Sequence, residues 1–191
     1  MAVPSTMLPL GTQAPDFRVK DVVTGKWLAL GDFSKFNLFL VMFICKHCPY
    51  VKHIQDQLAR LGFDYSTRNV GMVGISSNDA QNYPEDSPEG LREMAQSLKL
   101  NFPLGYDESQ EAAKAYRAAC TPEFYLFDEK RKLIYRGQLD DSRPKNDIPV
   151  TGKDLRAALE AALGGKGIIK DQKPGIGCNI KWKPGGEPDY F

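Results

Sequence analysis

Leu38-Phe39-Leu40-Val41-Met42-Phe43-Ile44-Cys45-Lys46-His47-Cys48-Pro49 decides the fold class. Its first seven residues are apolar without alternation, the pattern of a central strand covered on both faces. Beyond the cysteines, Val51, Ile54, Leu58 and Leu61 recur at spacings of three, four and three, one stripe of a helix expected to close at Gly62. A second apolar run, Val70 to Ser76, then completes a strand-helix-strand unit of a length that makes a parallel, right-handed crossover. The chain reads as α/β.

Ser87-Pro88 predicts the N-cap and first turn of another helix, with Leu91, Met94, Ala95 and Leu98 inward. Asp107 with Gln110 predicts a capping box for a helix carrying Ala112, Tyr116 and Ala119. Phe124–Phe127 and Lys132–Tyr135 flank polar Asp128-Glu129-Lys130-Arg131 as a hairpin, so the sheet is mixed. Thr151 with Asp154 caps a last helix through Leu155, Ala158, Leu159 and Ala162, stopped by Gly164-Gly165. One domain over residues 1–165 is expected, with the Gly- and Pro-rich residues 166–191 as a tail packed on it.

With 25 Lys and Arg against 24 Asp and Glu, and no block of either sign, nucleic acid and anionic membranes are poor partners. The longest apolar run is about a third of what a membrane span needs. The N-terminus has no cationic segment followed by a long apolar one, so no secretory signal is read and a cytoplasmic location is expected. In that compartment four cysteines are poor structural staples, and spacing matters more than number.

A Cys-x-x-Cys between a buried strand and a helix start has a chemical consequence. Unpaired N–H groups and the positive end of the helix dipole stabilise an anion there. Cys45 is expected to be the lower-pKa thiol, attacking a partner disulfide, with Cys48 resolving the mixed disulfide and a protonated His47 favouring the thiolate. The pair is itself the redox group, so no cofactor or metal is expected. His53 fails as a zinc ligand shared with the cysteines: on a helix it lies about 12 Å from Cys45 and about 7.5 Å from Cys48 along the axis, while ligands of one zinc lie within about 4 Å of each other, so a zinc site would need Cys120 or Cys178 brought in from afar. Haem attachment fails because Pro49, not histidine, follows Cys48.

The sequence resembles the thioredoxin superfamily on its peroxiredoxin-like (AhpC/TSA-like, redoxin) branch. The likeness is carried by Leu10-Gly11-Thr12-Gln13-Ala14-Pro15-Asp16-Phe17, the strand-CxxC-helix unit, Val73-Gly74-Ile75-Ser76-Ser77-Asn78-Asp79, and Cys120-Thr121-Pro122-Glu123-Phe124-Tyr125-Leu126-Phe127-Asp128. It implies a thioredoxin-like fold, a mixed sheet flanked by helices on both faces. It also implies a cis Pro122 that, with the Thr121 backbone, holds an extended substrate segment beside Cys45 by strand-like pairing. Two departures set the subtype. The peroxiredoxin Pro-x-x-x-Thr-x-x-Cys pattern is here Val41, Cys45 and Cys48, without the hydroxyl that helps bind peroxide, and the buried aspartate of thioredoxin is Phe39. The chain is similar to peroxiredoxin-like proteins that combine CxxC with a Gly177-Cys178-Asn179-Ile180-Lys181-Trp182-Lys183-Pro184-Gly185 tail.

The resemblance places Cys120, two residues before Pro122, near the CxxC. Either Cys120 and Cys178 pair or one relays electrons to Cys45 and Cys48, or Cys120 is a small apolar core residue and Cys178 a packed tail thiol. The expected function is thiol-disulfide exchange, with a protein or small-molecule disulfide as substrate and an external thiol as reductant. The alternatives are an antioxidant thiol peroxidase using Cys45 or Cys48, and a redox-sensing or zinc-holding module.

Overall fold

A computed structural model describes residues 1–191. The strands are β1 (Ala2–Pro4), β2 (Arg18–Asp21), β3 (Trp27–Ala29), β4 (Leu38–Phe43), β5 (Val70–Ser76), β6 (Leu104–Tyr106), β7 (Cys120–Thr121), β8 (Glu123–Phe127), β9 (Leu133–Gly137) and β10 (Ile176–Asn179). The helices are α1 (Pro49–Tyr65), α2 (Pro88–Ser97), α3 (Glu111–Ala115) and α4 (Lys153–Leu163). The main sheet runs β3-β2-β6-β5-β4-β8-β9, and a small antiparallel sheet runs β1-β10-β7. β4–β5 and β5–β6 are parallel while β4–β8 and β8–β9 are antiparallel, so the sheet is mixed as expected.

The apolar run of β4 is buried throughout. Leu38, Leu40 and Met42 face one core with α1, α2 and α4, while Phe39, Val41 and Phe43 face the other with α3 and the tail residues Ile180 and Trp182. Each large side chain so buried contributes roughly 1.5–3 kcal/mol. β4 is therefore the spine that fixes where the cysteine motif emerges. No helix is long and apolar enough to cross a membrane.

Several local expectations change. α1 continues past Gly62 to Tyr65; the glycine is there because a Cβ would overlap Asn101 and Phe102, not because the helix stops. The capping box expected at Asp107 and Gln110 is absent, and α3 is only five residues long. Gln110, at φ 64°, instead donates to the Ser77 and Lys181 carbonyls and accepts the Lys183 N–H at 2.9 Å, which ties the tail down. The N-cap of α4 is Gly152 rather than Thr151. α2 begins as read, with Ser87 Oγ accepting the Gly90 N–H at 3.2 Å.

Within residues 166–191, β10 pairs with both β1 and β7. Cys178 stands opposite Thr121 and Asn179 opposite Cys120. Gly177 permits this approach, since any Cβ would overlap the Thr121 carbonyl.

Candidate active site

β4 delivers Ile44 and Cys45 into a tight turn, and α1 starts at Pro49 with Cys48 as its N-cap. The turn is held from outside by Asp86, a fully buried carboxylate in the segment between β5 and α2. Its Oδ1 accepts the Lys46 and His47 N–H groups at 2.7 and 3.0 Å, and its Oδ2 accepts Asn78 Nδ2 at 2.7 Å and makes a short bond with His47 Nδ1. Burial works against the Asp86 charge, yet these donors, led by His47, leave its pKa below the ordinary carboxylate value. The His47 ring stacks on Tyr83, with centroids 5.3 Å apart.

On the other side the Thr121–Pro122 peptide is cis, as the resemblance implied. Thr121 Oγ1 lies 3.3 Å from Cys45 Sγ, and the Thr121 carbonyl 3.2 Å from Cys48 Sγ. Both thiols are fully buried, at 0% exposure.

The surroundings of the two thiols differ from those expected for a low-pKa Cys45. Cys45 precedes the helix, and burial, its hydrogen bond to Cys48 and the Asp86 charge all push its pKa up. Cys48 receives hydrogen bonds from the Cys45, Cys178 and Thr121 side chains and the Val51 N–H, and these outweigh burial and lower its pKa. The Thr121 carbonyl accepts only from protonated Cys48 and so opposes the thiolate, one acceptor against four donors. Pro49 stands at the first helical position, so Cys48, not Cys45, is the cap residue.

His47 Nδ1 is 3.9 Å from Cys45 Sγ, but it is held by Asp86, so the donation expected toward the thiolate is redirected to the carboxylate. Cys45, His47 and Asp86 place one sulfur, one nitrogen and one oxygen within 4.8 Å of one another. An ion there would have to displace His47 Nδ1 from Asp86. His53, one turn along α1, donates to or accepts from Ser142 Oγ at 2.7 Å and takes no part in the site.

The accessory cysteines separate. Cys178 packs against the core that contains Cys45 and Cys48, and burial with the neighbouring Cys48 pushes its pKa up. Cys120 points to the other face of β7, where its thiol lies 3.8 Å from Glu123 Oε2, and burial with the neighbouring carboxylate pushes its pKa well up. A direct Cys120–Cys178 pair is therefore not assembled. The substrate edge expected at Thr121 is also filled: β10 of the same chain lies there. Sequence reading missed Asp86, Asn78 and Tyr83, because nothing local marks an acid in Pro84-Glu85-Asp86-Ser87-Pro88 as buried.

The AhpC/TSA family profile matches residues 10–136. Among solved structures, an uncharacterized conserved protein from Geobacillus kaustophilus is 55% identical with a TM-score of 0.94, over 96% of this chain and 97% of that one. A hypothetical protein from Sinorhizobium meliloti 1021 is 45% identical with a TM-score of 0.92, over 94% and 98%. The thioredoxin domain of a thiol-disulfide oxidoreductase from Bacteroides vulgatus shares the fold at 18% identity and a TM-score of 0.62, over 80% and 96%. No curated protein matches. The central sheet with the cysteine motif on its spine and the matched profile over most of the chain agree: this protein belongs to the AhpC/TSA family and has a thioredoxin-like fold.

Proposed function

We propose that the protein is a thiol-disulfide oxidoreductase whose redox group is the Cys45–Cys48 pair. The observation that carries this reading is the buried thiol pair itself: Cys45 and Cys48 lie together between β4 and the start of α1, beside the cis Thr121–Pro122 loop, with Thr121 Oγ1 3.3 Å from Cys45 Sγ and the Thr121 carbonyl 3.2 Å from Cys48 Sγ. The Cys48 thiolate attacks a disulfide, one sulfur of the partner leaves as a thiolate and takes a proton, and a mixed disulfide forms. Cys45 then loses its proton, attacks Cys48 and releases the second thiolate. An external thiol reductant returns two electrons and two protons. Cys45 is thus the resolving thiol and Cys48 the nucleophile, the reverse of the assignment expected from the motif alone. Asp86 and His47 position the turn, and Thr121 contributes the hydroxyl.

Catalysis of insulin reduction by dithiothreitol tests the reading. The wild type is expected to be active and both Cys45→Ser and Cys48→Ser inactive; an inactive wild type overturns it. A second reading, a thiol peroxidase, is favoured by one observation: the stabilised thiolate is at Cys48, the position that matches the peroxidatic cysteine, with a hydroxyl near the pair from Thr121. There peroxide would oxidise Cys48 to a sulfenic acid, and Cys45 would condense with it, releasing water. Fast peroxide turnover by a wild type inactive on insulin selects that reading. Stoichiometric zinc in a protein with neither activity selects the zinc-holding module.

A further inference from the structure

Neither sulfur of the Cys45–Cys48 pair has exposed surface, whereas Cys178 is partly exposed. β10, which carries it, runs antiparallel along β7 with Cys178 directly opposite Thr121. Residues opposite one another on antiparallel strands share a face. The Thr121 side chain meets Cys45, and Cys178 packs against the core that holds Cys45 and Cys48, close enough to Cys48 for the two thiols to influence each other. Asn179 and Cys120 take the opposite face. The chain thus lays its own cysteine-bearing strand along the edge where an extended disulfide substrate would pair. The glycine at 177 is what lets it lie there.

We propose that Cys178 is a third redox thiol of this site, exchanging with Cys48 and carrying electrons between the buried pair and a thiol or disulfide outside. The inference rests on the dithiol reading of Cys45 and Cys48. In the oxidised protein the Cys178 thiolate attacks Cys48. The Cys48–Cys178 bond forms as the Cys45–Cys48 bond breaks, and Cys45 leaves as a thiolate that takes up a proton equivalent to the one Cys178 gave up. No electron leaves the protein in this step. An external thiolate then attacks Cys178, Cys48 leaves as a thiolate, and a second external thiol displaces Cys178, so two thiols supply the two electrons and two protons. The reduced site suits this order: burial, together with the hydrogen bond and charge of Cys48, raises the Cys178 pKa, and the Cys48 part of that penalty ends once Cys48 is in a disulfide.

The test uses the full chain. Cys45→Ser is oxidised with diamide, which takes two electrons and two protons from a thiol pair; remaining thiols are blocked with iodoacetamide and the non-reduced peptides mapped by mass spectrometry. A Cys48–Cys178 bond is expected in most molecules and no Cys48–Cys120 bond. Alkylated Cys48 and Cys178, or a Cys48–Cys120 bond, overturns the proposal. Should Cys45→Ser not fold, the wild type serves: Cys178→Ser is expected to slow oxidation of Cys45–Cys48 by oxidised glutathione about tenfold, and an unchanged rate overturns the proposal. Insulin reduction by the wild type, set beside the mapping in Cys45→Ser, separates the two claims. A Cys48–Cys178 bond with a wild type inactive on insulin leaves the thiol exchange standing and removes the oxidoreductase. Full activity with no such bond does the reverse.

Discussion

β7 is two residues long, and its two side chains meet opposite chemistry. Thr121 looks onto Cys45, Cys48 and Cys178, while Cys120 looks onto Glu123 and Tyr125. Both faces are buried, so burial does not distinguish them. What differs is the polarity of the neighbours. Cys48 collects donors and its thiolate is favoured, whereas Cys120 faces a carboxylate, and burial plus that charge keep it protonated. Whether a thiol in this protein favours its thiolate depends on who donates to it, and a contrast a few ångströms wide across one strand is enough to change it.

The largest expected break of that contrast is in activity. Cys48→Ser should lower insulin reduction by about 10²-fold or more, because the nucleophile is lost, while Cys120→Ser should stay within about twofold. Comparable losses from both would mean that the two faces act as one site.

The next effect lies on the Cys120 face. Glu123 accepts the Ala119 and Cys120 N–H groups at 2.9 and 3.3 Å and the Tyr125 hydroxyl at 2.7 Å, yet burial dominates and its pKa is pushed up to about 7. The raised value means that the folded protein holds a proton the unfolded chain has lost. Stability from the neutral carboxyl is complete below an unfolded value of about 4.3 and is lost as pH rises through about 7. The displacement corresponds to on the order of 3 kcal/mol. Glu123→Gln should therefore flatten the pH dependence of urea unfolding across that window and leave the protein more stable than wild type at pH 8. A wild-type stability that does not fall between pH 5 and pH 8 would show that the donors, not burial, control this carboxyl.

A smaller effect is expected where β10 joins the Thr121 face. Gly177→Ala puts a methyl into the Thr121 carbonyl and should cost about 1–3 kcal/mol in unfolding free energy. The same change should move Cys178 from Cys48 and reduce the yield of their disulfide. A stability loss with the disulfide yield intact would show that the strand relaxes without losing its register.

Much of this arrangement was legible in the residues. The unbroken apolar run of β4, the stripe on α1 and the Ser87-Pro88 start all carry strong local signals, and the parallel strand-helix-strand unit followed from them. The start of α1 was legible too, since Pro49 marks the first helical position and so makes Cys48 the cap. The usual behaviour of a CxxC pair points to Cys45 as the more acidic thiol, whereas donors around Cys48 such as Thr121 and Cys178 are contributed by residues distant in sequence. Asp86 and β10 could not be read locally. The first is defined by donors from Lys46, His47 and Asn78, and the second by a four-residue strand whose partners lie more than 50 residues before it. Non-local pairing of short segments leaves almost no periodicity to find.

The finest test of the contrast is Thr121→Val, which keeps the shape of the side chain and removes its hydroxyl. The peroxiredoxin threonine is absent at position 45, but Thr121 brings a hydroxyl to 3.3 Å from Cys45 Sγ from across the site. That hydroxyl lowers the pKa of both thiols, as one of several donors to Cys48. A hydrogen bond to a charged group contributes about 1.5 kcal/mol, or about one pH unit. The midpoint of thiolate formation, followed by ultraviolet absorbance or by the pH dependence of iodoacetamide reaction, should therefore rise by about one unit, with urea stability changed little. Because the Cys45, Cys178 and Val51 donors stay in place, a larger rise would make the hydroxyl the dominant donor. An unchanged midpoint would assign the thiolate to the helix start and its sulfur neighbours alone.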